Sequence, residues 1–408
     1  MKKYVCLFIL IGLFVGSFLF STTAEQRMES WRLHAEMEKE SIFRNMPWKA
    51  VGPKFQGGRI ETIASLPGNS PIIFVGAGAG NIWKTVNKGV TWKPVFEHYE
   101  TFTIGDIDIA PSNPDIVWAG TGENLMARSS FAGTGMYKST DGGETWAHKG
   151  LEETHHIARV AIHPQNPDIV YVAALGHNYT YNQERGLYKT SDGGQTWEKC
   201  LFISEKTGVT EIVIDPDNPQ TVYAAAWERD RKAWNNVVSG EESGIYKTTD
   251  GGKTWKQLTN GFPAGEFVGR IGLDISRSNP SVLYAVLDNQ KERTNDQGET
   301  AGRIGGEVYR SSDRGESWLK VNRGQLNAGV NYSFGDIRVS PEDENLIYVL
   351  GVNLLMSKDG GRTYQRIEGT VSHLNYHSTR TLHLDHHDMW IDPQNPDHIL
   401  LGNDGGLY

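Results

Sequence analysis

Six copies of one eight-residue pattern constrain this chain more than any other feature. They occupy residues 85–92, 139–146, 190–197, 248–255, 311–318 and 357–364, with starts 54, 51, 58, 63 and 46 residues apart. The shared form is Ser/Thr-x-Asp-Gly-Gly-x-Thr-Trp, and Asn87, Asp141, Asp192, Asp250, Asp313 and Asp359 hold its third position. A side-chain oxygen there can accept backbone N–H groups of its own turn, and the Gly two residues on supplies a positive φ. The closing aromatic offers a flat face to pack beside the next repeat. Each box therefore reads as a structural hairpin staple. It does not read as a calcium or phosphate loop, because a sixfold repeat suits a scaffold and not a single site.

A second repeat interleaves with the first. Pro-x-Asn-Pro turns begin at Pro111, Pro164, Pro216 and Pro393, and looser copies lie at 66–74, 276–284 and 340–348. Apolar alternation precedes each turn (Val160 and Ile162, Ile212 and Ile214), and an apolar run follows it. Gly-x-Tyr-Lys segments such as 135–138, 186–189 and 244–247 then lead into the boxes. Strand, Pro turn, strand, Gly-Tyr strand, box and strand make a four-stranded unit, repeated seven times. The fold class is all-β, a seven-bladed β-propeller of four-stranded blades. The seventh unit reaches Tyr408 where a box is due. The expectation is a truncated last blade, because an unfinished one leaves open strand edges. Trp48 to Val51 offer an outer strand to close the ring.

The ends and the composition add limits. Lys2 and Lys3 precede an apolar run from Tyr4 to Phe20, with small residues at 22–24, so residues 1–24 read as an export signal. Residues 25–46 read as a charged leader helix or linker, and 47–408 as the propeller. The expected location is secreted, periplasmic or at the cell surface, with no membrane span once the signal is removed. Cys6 lies in the signal, which leaves Cys200 alone and excludes a disulfide framework. Net charge is −9, without Lys/Arg clusters, which argues against nucleic acid as a partner.

Propellers place ligands at the mouth of the central channel. Counting back from each Pro turn to the start of the inner strand selects Thr62, Asp106, Arg159, Glu211, Gly272, Asp336 and Asp388. Four acids and one arginine at equivalent places form a ring of charge about the axis. Either these strand ends face channel water, or they bind a cation, sugar or amine with Arg159 paired to an acid. Residues 372–388 hold five of the thirteen histidines. Were this stretch extended, His383, Asp385 and His387 would share one face, as N/O ligands suited to a divalent metal. The alternatives there are a His–Asp hydrogen-bond network over the channel mouth and acid–base chemistry. No other cofactor is indicated. Longer loops at 120–131, 176–185 and 227–242 carry Glu123 and Arg128, Tyr179 and Tyr181, and Arg229 and Trp234, residue types that recognition favours.

The boxes resemble the Asp-box, or BNR, repeat found in sialidases, two-propeller xyloglucan hydrolases and sortilin-type sorting receptors. Together with Gly-Pro-x-x-x-Gly-Gly-Arg at 52–59, Gly-Thr-Gly-Glu at 120–123, the 383–390 stretch and Asn-Asp-Gly-Gly at 403–406, they make the chain similar to large bacterial secreted proteins of sortilin-like or glycosyl-hydrolase-like kind. Such proteins usually continue into a second propeller region. The xyloglucanases carry a catalytic Asp in an early Asp-x-Gly-Gly-Ala-Tyr turn. Here Gly78-Ala-Gly-Asn81 stands at that place, and Asp404 is the nearest chemical match. The resemblance implies a secreted binding or scaffold propeller that recognises a peptide, glycan or protein at its channel mouth, and it leans away from an enzyme. The alternative is a glycoside hydrolase acting on extracellular polysaccharide, with Asp388, Asp404 and Glu123 as candidate acids.

Overall fold

A computed structural model describes residues 23–46, 49, 58–127, 130–295, 297–326, 328–331, 333–367 and 382–408. Most of the expected export signal, the Trp48 and Val51 closing strand, Arg128 and the His373 and His377 part of the histidine stretch lie outside the described residues. Within unit 1–50, Ala24–Glu40 form a helix whose capping box joins Thr23 to Gln26, and none of its residues is buried.

The described residues of unit 51–408 form a seven-bladed propeller of antiparallel sheets. In the first six blades four strands pair in chain order, and the seventh has three described strands, starting with His386–Asp392. Inner strands run Ile60–Ser65, Ile104–Ile109, Ile157–Ile162, Thr207–Ile214, Val268–Ile275, Asp336–Val339 and His386–Asp392. The Pro turns and the boxes share one face of each blade: Gly142 N–H donates to Asp115 O at 2.8 Å, and Gly193 N–H to Asp168 O at 3.0 Å. The loops between second and third strands therefore gather on the opposite face.

The boxes adopt one turn. In each, the Asp Oδ1 accepts the amide four residues on, from Asp141 (2.9 Å) to Asp359 (2.9 Å), and the Ser or Thr two residues earlier donates to the same oxygen. Asn87 reproduces both contacts, with Thr85 and Thr91. The second Gly of the box lies on the aromatic that ends the Pro repeat of the preceding blade. A Cβ on Gly143 would stand 2.4 Å from Phe74, and one on Gly194 2.6 Å from Trp118. This contact explains the aromatic that ends the Pro repeat in each of the first four blades; the last repeat ends in Leu400 instead. It also corrects one expectation: Trp146 and Trp197 donate to Val95 O and Lys149 O of the preceding blade, not the next one. The Lys of each Gly-x-Tyr-Lys strand covers the same aromatic, Lys138 over Trp118 at 5.2 Å and Lys189 over Tyr171 at 5.4 Å. Burying one such Trp removes 150–250 Å² from water, about 4–6 kcal/mol of transfer free energy.

Polar staples also join the inner strands from blade to blade. Asp106 accepts Val160 N–H at 2.7 Å, Asp108 accepts Ile162 N–H at 2.9 Å, and Asp274 accepts Val339 N–H at 2.8 Å. The same device closes the ring between the last blade and the first. Asp388 accepts Ile63 N–H at 2.8 Å, and Asp392 accepts Gly68 and Asn69 N–H at 3.0 and 2.7 Å.

Candidate functional site

The axial residues selected by counting from the Pro turns do converge. Arg159 grips Glu211 with two bonds of 2.9 and 3.0 Å, reaches Asp336 at 3.1 Å, and lies 3.5 Å from Asp106. Arg338, which the sequence reading did not select, places one nitrogen 2.7 Å from both Asp336 and Asp388. Thr62 completes the ring by donating to Asp106 at 2.7 Å. Burial pushes Glu211 up to about 7 despite Arg159. It pushes Asp336 up as well, but Arg338 and Arg159 more than offset this and leave it below its ordinary value. The ring is thus an ion network whose members serve one another. A cavity of about 450 Å³ opens on its Pro-turn side, lined in part by Asp108, Asp274 and Arg277.

On the other face Asn124 and Leu125 of the 120–131 loop lie beside Arg159 and Glu211 of the axial ring. Leu125 and Met126 are buried, Arg270 donates to Asn124 O at 3.1 Å, and Arg229 donates to Met126 O. Arg229 is itself buried and stacks on Trp227 at 4.7 Å, so it holds this loop from within and does not present a recognition surface. Trp234, by contrast, is 85% exposed.

Beside that loop three carboxylates from three blades surround one guanidinium. Arg59 lies 3.3 Å from Glu123, 3.4 Å from Asp404 and 3.9 Å from Glu61. His387 donates to Asp404 at 2.8 Å. Gly78 fits between two of the acids, since a Cβ there would meet Glu61 Oε1 at 2.8 Å and Glu123 Cγ at 3.3 Å. Glu61 is fully buried with neither carboxylate oxygen hydrogen-bonded, and burial raises its pKa. Burial, then the charge of Glu61, push Glu123 up to about 7 against the pull of Arg59. Burial also acts on Asp404, but the His387 bond and the charges of His387 and Arg59 outweigh it and hold Asp404 low. One acid is thus poised to carry a proton near neutral pH while its neighbour stays ionised.

Sequence reasoning had selected Glu123 and Asp404 but not Arg59 or Glu61. Glu61 is displaced from the counted register by a bulge between Ile60 and Thr62, which turns its side chain off the ring. An equivalent bulge between His386 and Asp388 re-aims His387. Asp388 is placed elsewhere, with one oxygen on Ile63 N–H and the other on Arg338.

His383, Asp385 and His387 do not form a ligand set. Asp385 has φ +65°, which breaks the expected extended run, and the strand starts only at His386. Among the described residues, the one group of three or more His, Cys, Asp or Glu with ligand atoms all within 4.8 Å of one another is Glu153, His155 and His177.

Comparison with known proteins agrees with this architecture. The family model described as sortilin, neurotensin receptor 3 (Sortilin-Vps10) matches residues 134–301. A xyloglucanase of a Paenibacillus species is 24% identical over 391 residues, covering 87% of this chain and 36% of the relative. A xyloglucanase of Acetivibrio thermocellus is 23% identical over 358 residues, covering 76% and 38%. The crystal structure of the GH74 xyloglucanase from Xanthomonas campestris superposes with a TM-score of 0.63 at 15% identity, covering 88% of this chain and 53% of that one. The chain is a β-propeller that is similar to sortilin-type and xyloglucanase propellers. It spans little more than a third of the length of the curated relatives it matches. The lean away from an enzyme is overturned here, because these curated relatives are themselves glycoside hydrolases.

Proposed function

We propose that this propeller belongs to a glycoside hydrolase acting on an extracellular polysaccharide of xyloglucan type, the substrate in the names of its relatives. The observation that carries the reading is the Arg59 cluster. Glycoside cleavage needs one protonated and one ionised carboxyl group across the scissile bond. Glu123, raised to about 7, suits the proton donor, and Asp404, held low by His387 and Arg59, suits the ionised partner. One guanidinium contacts both, which keeps them within the roughly 9.5 Å that such pairs span. Asp404 is 35% exposed and reachable, whereas Glu123 is almost fully covered, so the proton would leave from the inner side of the site. Exposed Trp234 and Tyr179 offer faces on which sugar rings can stack. An exported location through residues 1–24 fits a substrate found outside the cell.

The test is reducing-end release from a polysaccharide panel including xyloglucan, using the full-length secreted protein. Loss of release in folded Glu123→Gln and Asp404→Asn supports the assignment. Release unchanged in both variants moves the chemistry elsewhere. Xyloglucan binding with no release from any substrate leaves a glycan-binding propeller.

A further inference from the structure

Two loops that the proposed reaction does not use bring a second set of chemical groups together. A short 3-10 turn, Glu152–Thr154, leads into the inner strand of the third blade, and the 176–185 loop leaves its second strand. His155 and His177, one from each, stack with ring centroids 3.7 Å apart and planes 18° from parallel. Their Nε2 atoms lie 3.6 and 3.9 Å from the same oxygen, Glu153 Oε2. His177 Nε2 donates a hydrogen bond to the Glu153 carbonyl oxygen at 3.0 Å, a proton that ion binding must displace.

From this geometry we infer that Glu153, His155 and His177 form a binding site for one divalent transition-metal ion, zinc being the chemical type that fits. Ligands each about 2.1 Å from a tetrahedral ion stand about 3.4 Å apart. The two nitrogen–oxygen separations exceed that by only a few tenths of an ångström. Two imidazoles and a carboxylate are a zinc-type donor set, and the nearby carbonyl can add a fourth donor.

The backbone of both residues is anchored, and one ring must turn out of the stack for both in-plane nitrogen lone pairs to meet at one ion. His155 sits at φ +56°, with its carbonyl accepting Gly133 N–H at 2.7 Å. His177 is held through its backbone by Asn182, at 3.2 Å in both directions, and by buried Arg185, which donates to its carbonyl at 3.2 Å. Such support is what a ligand site needs. The side chains are 20–41% exposed, so an ion and a water can enter from solvent.

The experiment is calorimetric titration of Zn²⁺ into EDTA-treated full-length protein, repeated with His155→Ala/His177→Ala and with His383→Ala. Co²⁺ absorption provides a second readout of nitrogen ligation, and near-UV circular dichroism a check of folding. The expected result is one ion per chain, weakened at least about tenfold in the folded double variant and unchanged in His383→Ala. If the double variant misfolds, Glu153→Gln carries the same expectation. Absence of stoichiometric binding, binding unaffected by these changes, or binding lost only with His383 would overturn the site.

Discussion

Asp388 of the last blade accepts the backbone N–H of Ile63 in the first at 2.8 Å, a bond between residues 325 positions apart. Its other oxygen meets Arg338 at 2.7 Å. Asp388→Ala therefore removes a ring-closing acceptor and leaves a buried guanidinium with one carboxylate fewer. Breaking a buried pair of this kind costs roughly 3–5 kcal/mol. Denaturant unfolding should show a loss of that size, larger than for Asp404→Ala at the half-exposed site. Equal stability of Asp388→Ala and the parent protein would remove the ring-closure role.

Arg159 serves Glu211, Asp336 and Asp106 together. Arg159→Lys keeps the charge but cannot reproduce the forked contact with Glu211. It is expected to melt well below the parent, whereas Arg277→Lys, at the rim of the axial cavity, should stay within about 0.5 kcal/mol. Similar melting of the two variants would count against the hub.

Glu123 gives two opposed pH signals. Its pKa is raised in the folded state, to about 7, so its contribution is most favourable below the ordinary carboxylate value and is lost as pH rises towards 7. Glu123→Gln should therefore match the parent near pH 4 and exceed its stability at pH 8. In the same variant turnover should be lost, and in the parent it should fall as pH passes about 7. A parent rate that keeps rising beyond pH 8 would exclude Glu123 as the proton donor.

The box turns carry an acid-sensitive contribution of the opposite sign. Burial acts to raise Asp141, but its bonds from Thr145, Ser139 and Glu144 outweigh this and lower it to about 2. Its stabilising effect is full above the ordinary value near 4 and is lost as pH falls to about 2. Asp141→Asn should be less stable than the parent at pH 7, and the gap should close between pH 4 and 2. The group is largely exposed, so the effect is modest. The first box, with Asn87 making the same turn contacts, already has the neutral form.

The fold was legible because each repeat states its own turn chemistry. Pro, Gly, Asp and aromatic residues recur in register, and their contacts join adjacent blades. The same register located Asp106, Arg159, Glu211, Asp336 and Asp388 at the axis. It missed Arg338, which lies two positions beyond the counted residue on the same strand. Glu61 escaped because a bulge alters which way a side chain points without altering the residue count. His383, Asp385 and His387 failed as a ligand set because one left-handed residue destroys the alternation on which the reading depended. Glu153, His155 and His177 left no spacing signal at all. Their proximity is created by two loops meeting, which a linear pattern does not encode.

The polar clasps between the last and first blades also set an order of events during synthesis. Most neighbouring blades can pair as soon as the later one leaves the ribosome, but the first inner strand waits for Asp388 and Asp392. Until then Ile63 and its neighbours have one flank open. Closing so long a loop is slow. The first blade made is therefore among the last to be sealed, and the period before closure is when the nascent chain most needs protection from strand-edge association.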